Sequence, residues 1–152
     1  MRIHDRLPPV ALLGIAAVLA LAGTSCETLS GAGKSGAQFA QYRQSLAESR
    51  ATLDKAAQDG DLQAVGTSMT TIGSQFDAIE SKGGDMNVMD RESMAIQIAT
   101  GRRTMTEASR WISVNDADAV RSQVAELDPI LTEVDVLLDR AVKSSVPATG
   151  SQ

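Results

Sequence analysis

Four runs of apolar residues, each stepping by three and four positions, dictate most of what this chain can become. The first is Phe39, Tyr42, Leu46, Ser49, Leu53 and Ala56, and the second is Leu62, Val65, Met69, Ile72, Phe76 and Ile79. The third is Met94, Ile98, Gly101, Met105, Ala108 and Ile112; the fourth is Val120, Val124, Leu127, Leu131, Val134, Leu138 and Ala141. Steps of three and four return to one face of an α-helix, whereas a half-buried strand would alternate every second residue. An apolar stripe must be covered, and four stripes can cover one another. The expectation is an all-α fold, a four-helix bundle over residues 37–143.

The breaks between runs carry helix-end chemistry. Asp59-Gly60-Asp61 offers a glycine for one helix end and an aspartate to cap the next start. Ser81-Lys82-Gly83-Gly84-Asp85 reads as a loop, with the third helix starting between Asp85 and Asp90. Asn115 is the expected N-cap of the fourth helix, with Asp116 and Asp118 in its first turn. Connections this short force neighbours to run antiparallel, in an up-down-up-down order. The fourth helix has the widest apolar face, because Ile130 and Leu137 join its stripe. Pro129 lacks a backbone donor and clashes one turn back, so a kink is expected near Glu126–Asp128, with helix on both sides.

On either side of these runs the patterning is lost. Residues 27–36 (ETLSGAGKSG) are rich in Gly and Ser and read as a flexible tether; residues 144–152 (SSVPATGSQ) read as a disordered tail. Before the tether, Arg2 and Arg6 precede a wholly apolar or Gly run from Val10 to Gly23. As a helix that run covers only about 21 Å, short of a hydrocarbon core of about 30 Å. Gly23-Thr24-Ser25 then leads into Cys26, the single cysteine of the chain. A basic start, a short apolar stretch and a small-residue exit describe an export signal.

With its cysteine directly after the small residues, this segment resembles a bacterial lipoprotein signal. The resemblance implies that residues 1–26 form the signal, that Cys26 takes a diacylglycerol on its thiol, and that the mature chain is held on a membrane. Gly23 departs from the Leu, Val or Ile usual three places before that cysteine. Ala20-Leu21-Ala22 offers an ordinary signal-peptidase site instead, with cleavage before Gly23 and a bare thiol at Cys26. By the sorting rules of enteric-type bacteria, Glu27 after the lipidated cysteine implies the outer membrane, facing the periplasm.

The remaining composition narrows the function. The net charge is −5, and −6 once Arg2, Arg6 and Asp5 leave with the signal. Arg102-Arg103 is the longest basic run, and the chain has one Trp, one Tyr and two Phe. Nucleic-acid binding calls for a basic stripe and stacking aromatics, so no nucleic-acid partner is expected. Gly31-Ala32-Gly33-Lys34-Ser35 has the end of a phosphate-binding loop, but Thr28 stands where the first glycine belongs, and no nucleotide is expected. His4, the single histidine, lies in the signal, which leaves the body without imidazole acid–base chemistry. The chain is therefore not expected to be an enzyme, and no cofactor or metal is expected.

Two surfaces stand out. Gly66, Thr70, Gly73 and Asp77 form a small-residue stripe beside the second run, and helix-interior glycines cost about 1 kcal/mol each relative to Ala. Close approach of another helix would offset that, either within the bundle or from a protein partner. Arg102, Arg103 and Arg110 are the locally basic residues and a candidate anion site, although Glu107 is placed to pair with Arg110. Met86 and Met89, one turn apart, are candidate soft ligands for a metal such as Cu(I). The expectation is a lipid-anchored structural or adaptor protein of the cell envelope, acting through protein–protein contact. The alternative is a periplasmic sensory bundle for a small anion or metal.

Overall fold

The computed structural model describes residues 31–145, with side chains from Lys34 onward. The signal with Cys26, residues 27–30 of the expected tether and residues 146–152 of the expected tail lie outside the described residues. Four α-helices follow one another: α1 Gly31–Asp59, α2 Leu62–Ser81, α3 Val88–Ser113 and α4 Ala117–Ser144, with a single 3-10 turn at Gly83–Asp85. No strand occurs among the described residues. The all-α expectation holds.

Each helix is 20 to 29 residues, about 30–44 Å at 1.5 Å per residue. The pairings between helices fix their directions. Arg43 reaches Asp135 and Arg50 reaches Asp128, so α1 and α4 run in opposite senses. Helix α1 ends at Asp59 and α2 starts at Leu62, and Gln75, well along α2, donates back to Ser45 and Ser49, which reverses α2 against α1. Asp77 meets Arg102 while Gly66 faces Ile112, which reverses α3 against α2. Gly101 lies by Ile130 and Asp90 by Arg140, which reverses α4 against α3.

The apolar stripes are the core. Phe39, Leu46, Leu53, Val65, Ile72, Phe76, Ile79, Ile98, Val120, Leu127, Leu131, Val134 and Leu138 are all at most 2% exposed. Leu137 is buried as well and Ile130 packs against the cluster, so α4 buries the broadest face. Burial of one large aliphatic side chain contributes about 1.5–3 kcal/mol, so the stripes supply the main stabilisation. Gly101, a seam position, leaves room for the Phe76 ring: a Cβ there would lie 2.9 Å from its Cε2.

The helix ends, the tether and the start of the expected tail differ from the sequence reading: α4 runs to Ser144, with Ser145 as its C-cap. Helix α1 begins at Gly31, so residues 31–36 of the expected tether are helical. The reason is tertiary: Gly36 is buried against the C-terminal end of α4, where only a missing Cβ leaves space for Ser145. Ser35 Oγ also donates to Asp85 at 3.0 Å. The α4 cap is Asp116, whose side chain accepts from the Ala119 amide, and not Asn115. Asn115 instead adopts φ 59°, the left-handed turn after α3 that a short polar side chain tolerates. Asn87 caps α3 by accepting from the Asp90 amide, and its own amide group donates back to the Asp90 carboxylate.

Helix α4 runs without interruption through Pro129. The carbonyl that proline cannot serve belongs to Ala125, which is exposed, as is Pro129 itself. Water can satisfy that oxygen, which makes the position tolerable inside a helix.

Candidate functional site

Helix α2 is fixed at its start by Asp61, whose carboxylate accepts from the Ala64 amide, after Gly60 closes α1 at φ 73°. With Val65, Met69, Ile72, Phe76 and Ile79 turned inward, the stripe Gly66, Thr70, Gly73 and Asp77 comes to lie on the flank toward α3. The matching flank of α3 carries Arg102, Thr106 and Ser109. Between them runs a shallow groove of about 340 Å³ lined by Gly66, Met69, Thr70, Arg102, Met105 and Thr106. Of the four neighbouring helix pairs, α2 and α3 are in the least extensive contact.

The two glycines are not filled from within. A Cβ on Gly73 would meet nothing within 4 Å, and one on Gly66 would only touch Ile112 Cδ1 at 3.9 Å. Packing inside the bundle therefore does not account for either glycine. The groove's hydroxyls are already satisfied: Thr70 donates to the Gly66 carbonyl, Thr106 to Arg102 and Ser109 to Met105, each within its own helix. Such back-bonded groups present methyl and methylene surface rather than free donors. Met69 and Met105, 5% and 8% exposed, form a floor of flexible thioethers that can adapt to a surface laid on them.

The candidate anion site does not come together. Arg102 donates to Asp77 at 2.6 Å and to Glu80 at 2.7 Å, and those hydrogen bonds, with the Glu80 one foremost, raise its already high pKa. Asp77 of the small-residue stripe is thus its counter-ion, and the pair closes one end of the groove. Arg110 is held by Glu107 at 2.8 Å. Arg103 lies one position round the helix, exposed on the outer face. The methionines do not converge either, since Met86 is buried at 7% and Met89 is 74% exposed.

One further feature escaped the sequence reading. Arg43 and Arg50 on α1 are seven residues apart, as are Asp128 and Asp135 on α4, and the two ladders interlock across the α1–α4 seam. Arg43 is bidentate to Asp135 at 2.9 and 3.1 Å and also binds Asp139 at 2.6 Å. Equal heptad spacing of opposite charges on the first and last runs was the available signal. Among the described residues, no helix is long and apolar enough to cross a membrane, and no group of three or more His, Cys, Asp or Glu is placed to hold a metal ion.

No protein-family model, curated protein or solved structure matches this chain.

Proposed function

We propose that this chain is a lipid-anchored, extracytoplasmic helical-bundle adaptor that works by docking a helix of a protein partner along the α2–α3 groove. The anchoring half of the reading is supported by the sequence alone: the basic start, the apolar run Val10–Gly23 and Cys26. A diacylated cysteine would hold the body at the membrane, since two acyl chains anchor stably where one is marginal. The docking half rests on one observation: Gly73 stands in the interior of α2 with open space above its Cα. Glycine there is disfavoured by about 1 kcal/mol against alanine, and close approach of a partner backbone is the interaction that offsets it. The Met69 and Met105 floor and the satisfied hydroxyls suit an apolar helix face better than a small polar ligand. A small anion at Arg102, Arg103 and Arg110 would require Arg102 to leave Asp77 and Glu80.

Two experiments test the two halves separately. Intact mass of the mature protein should show a lipid-sized addition on an N-terminal Cys26, absent in Cys26→Ser. A chain starting at Gly23 with a free thiol, or a full-length chain in the cytosol, rejects the anchor. For docking, a photo-crosslinking residue at Thr70 should capture a discrete protein in the native envelope. Gly73→Leu should abolish that adduct while leaving the thermal transition in place. An adduct unchanged by Gly73→Leu rejects the groove.

A further inference from the structure

The α1–α4 seam, on the side of the bundle opposite the α2–α3 groove, holds the larger cavity. It measures about 570 Å³ and is lined by Arg43, Gln44, Leu46, Ala47, Arg50, Ala51, Asp54, Leu131 and Asp135. That volume falls in the range of small-molecule sites, about 300–1,000 Å³. Ala47 and Ala51 keep it open where longer side chains would fill it, and Leu46 and Leu131 give it an apolar base.

Its charged lining is unevenly satisfied. Arg43 commits all three of its guanidinium nitrogens to Asp135 and Asp139, and Arg50 is held by Asp128. Asp54 has neither an ion pair nor a hydrogen bond among the described residues, although it is half-buried on the cavity wall. Burial, and then the nearby Asp128 carboxylate, hold its pKa above the ordinary value, against the opposing pull of Arg50. Gln44 spends its amide N–H on Glu48 and leaves its carbonyl oxygen as a second acceptor. The cavity thus has no uncommitted cation for an anion to find, and it does have a carboxylate short of one.

We infer that the α1–α4 cavity binds a small organic cation, an alkylammonium or guanidinium with a compact apolar body, its charged end on Asp54 and its body over Leu46, Ala47, Ala51 and Leu131. The site is independent of the docking groove. A helix partner on α2–α3 and a ligand on α1–α4 could be engaged together.

The test is titration of the full chain, in detergent where lipid requires it, with 2-phenylethylammonium, followed by amide chemical shifts. Three controls run alongside: the neutral 3-phenylpropanol, the anionic 3-phenylpropionate and the diffuse polycation spermidine. Saturable shifts confined to α1 and α4, weakened at least tenfold in Asp54→Asn and in the cavity-filling Ala51→Leu, support the site. Asp54→Asn removes a poorly compensated charge and should fold, and its melting transition confirms this before titration. The inference is overturned by non-saturating shifts with 2-phenylethylammonium, by equal binding of the neutral or anionic analogue, or by an Asp54→Asn affinity within twofold of the parent. Shifts from spermidine alone, spread over the acidic surface, also overturn it, because they report charge screening and not a cavity.

Discussion

At the scale of single residues, glycines show how differently one residue type is used within a fold. Gly101 and Gly73 are both helix-interior glycines, yet only Gly101 is filled, by the fully buried ring of Phe76. Gly101→Ala should therefore destabilise the protein by about 1–2 kcal/mol, since overpacking typically costs about 1–3 kcal/mol and outweighs the helix-propensity gain. Gly73→Ala should do the reverse, stabilising by about 0.5–1 kcal/mol. Urea unfolding of the two variants checks the opposite signs. Asp54 offers a second test. Its folded-state pKa is raised, so stability falls as pH rises from the ordinary carboxylate value of 3.8 through the folded one. Asp54→Asn should melt higher than the parent at pH 7 and at the same temperature at pH 2.5–3. Asp139 works in the opposite sense. The hydrogen bond from Lys143 is the main cause that lowers its pKa, and the stability it contributes is lost as pH falls below 3.8 through the folded pKa.

At the scale of elements, the helix bodies and the helix ends have different origins. Bodies follow the apolar period. Ends are set by which side chain can reach an unpaired amide, and several candidates stand side by side in each loop. Asp116 rather than Asn115 caps α4, because Asn115 is spent on the left-handed turn that ends α3. Asn87 caps α3 and its side-chain amide donates to the buried Asp90 carboxylate, which also faces Arg140 on α4 at 3.5 Å. Asn87→Ala should lower stability by about 1 kcal/mol, read as a reduced urea midpoint with an unchanged slope. A Val88→Ala control, at an exposed position next to the cap, should change it by less than about 0.5 kcal/mol.

At the scale of the whole molecule, the four stripes close on one core, so damage at its centre should be felt everywhere. Leu127 is 1% exposed on the helix with the broadest buried face. Leu127→Ala should cost about 2–5 kcal/mol and lower a single cooperative transition. A biphasic melt would instead mean that the helices unfold separately. The ion pairs between α1 and α4 and between α2 and α3 sit at the rim, with side chains about a third or more exposed for the most part. Such pairs contribute little to stability. Their value is in specificity: a shift by one helical turn would leave Arg43 one of its two aspartates, Asp135 or Asp139, but would take Asp128 away from Arg50, so the pair of ladders favours one register of the seam.

The sequence by itself determined the helices and their buried faces, because a repeat of three and four leaves a helix one way to hide its apolar side. Phe76, Ile98 and Leu131 were legible as core for that reason, and Gly60 and Asp61 as a helix junction. Tertiary structure alone decided what the flanks of those stripes do. Whether Gly73 or Gly101 meets another helix, whether Arg102 is free or bound by Asp77 and Glu80, and whether Asp54 has a counter-ion all depend on which flank each neighbour presents. Those are contacts between residues 20 to 90 positions apart, and no local period encodes them. The same cause extended α1 back to Gly31: a glycine-rich segment with no stripe of its own is helical where it packs against the end of α4.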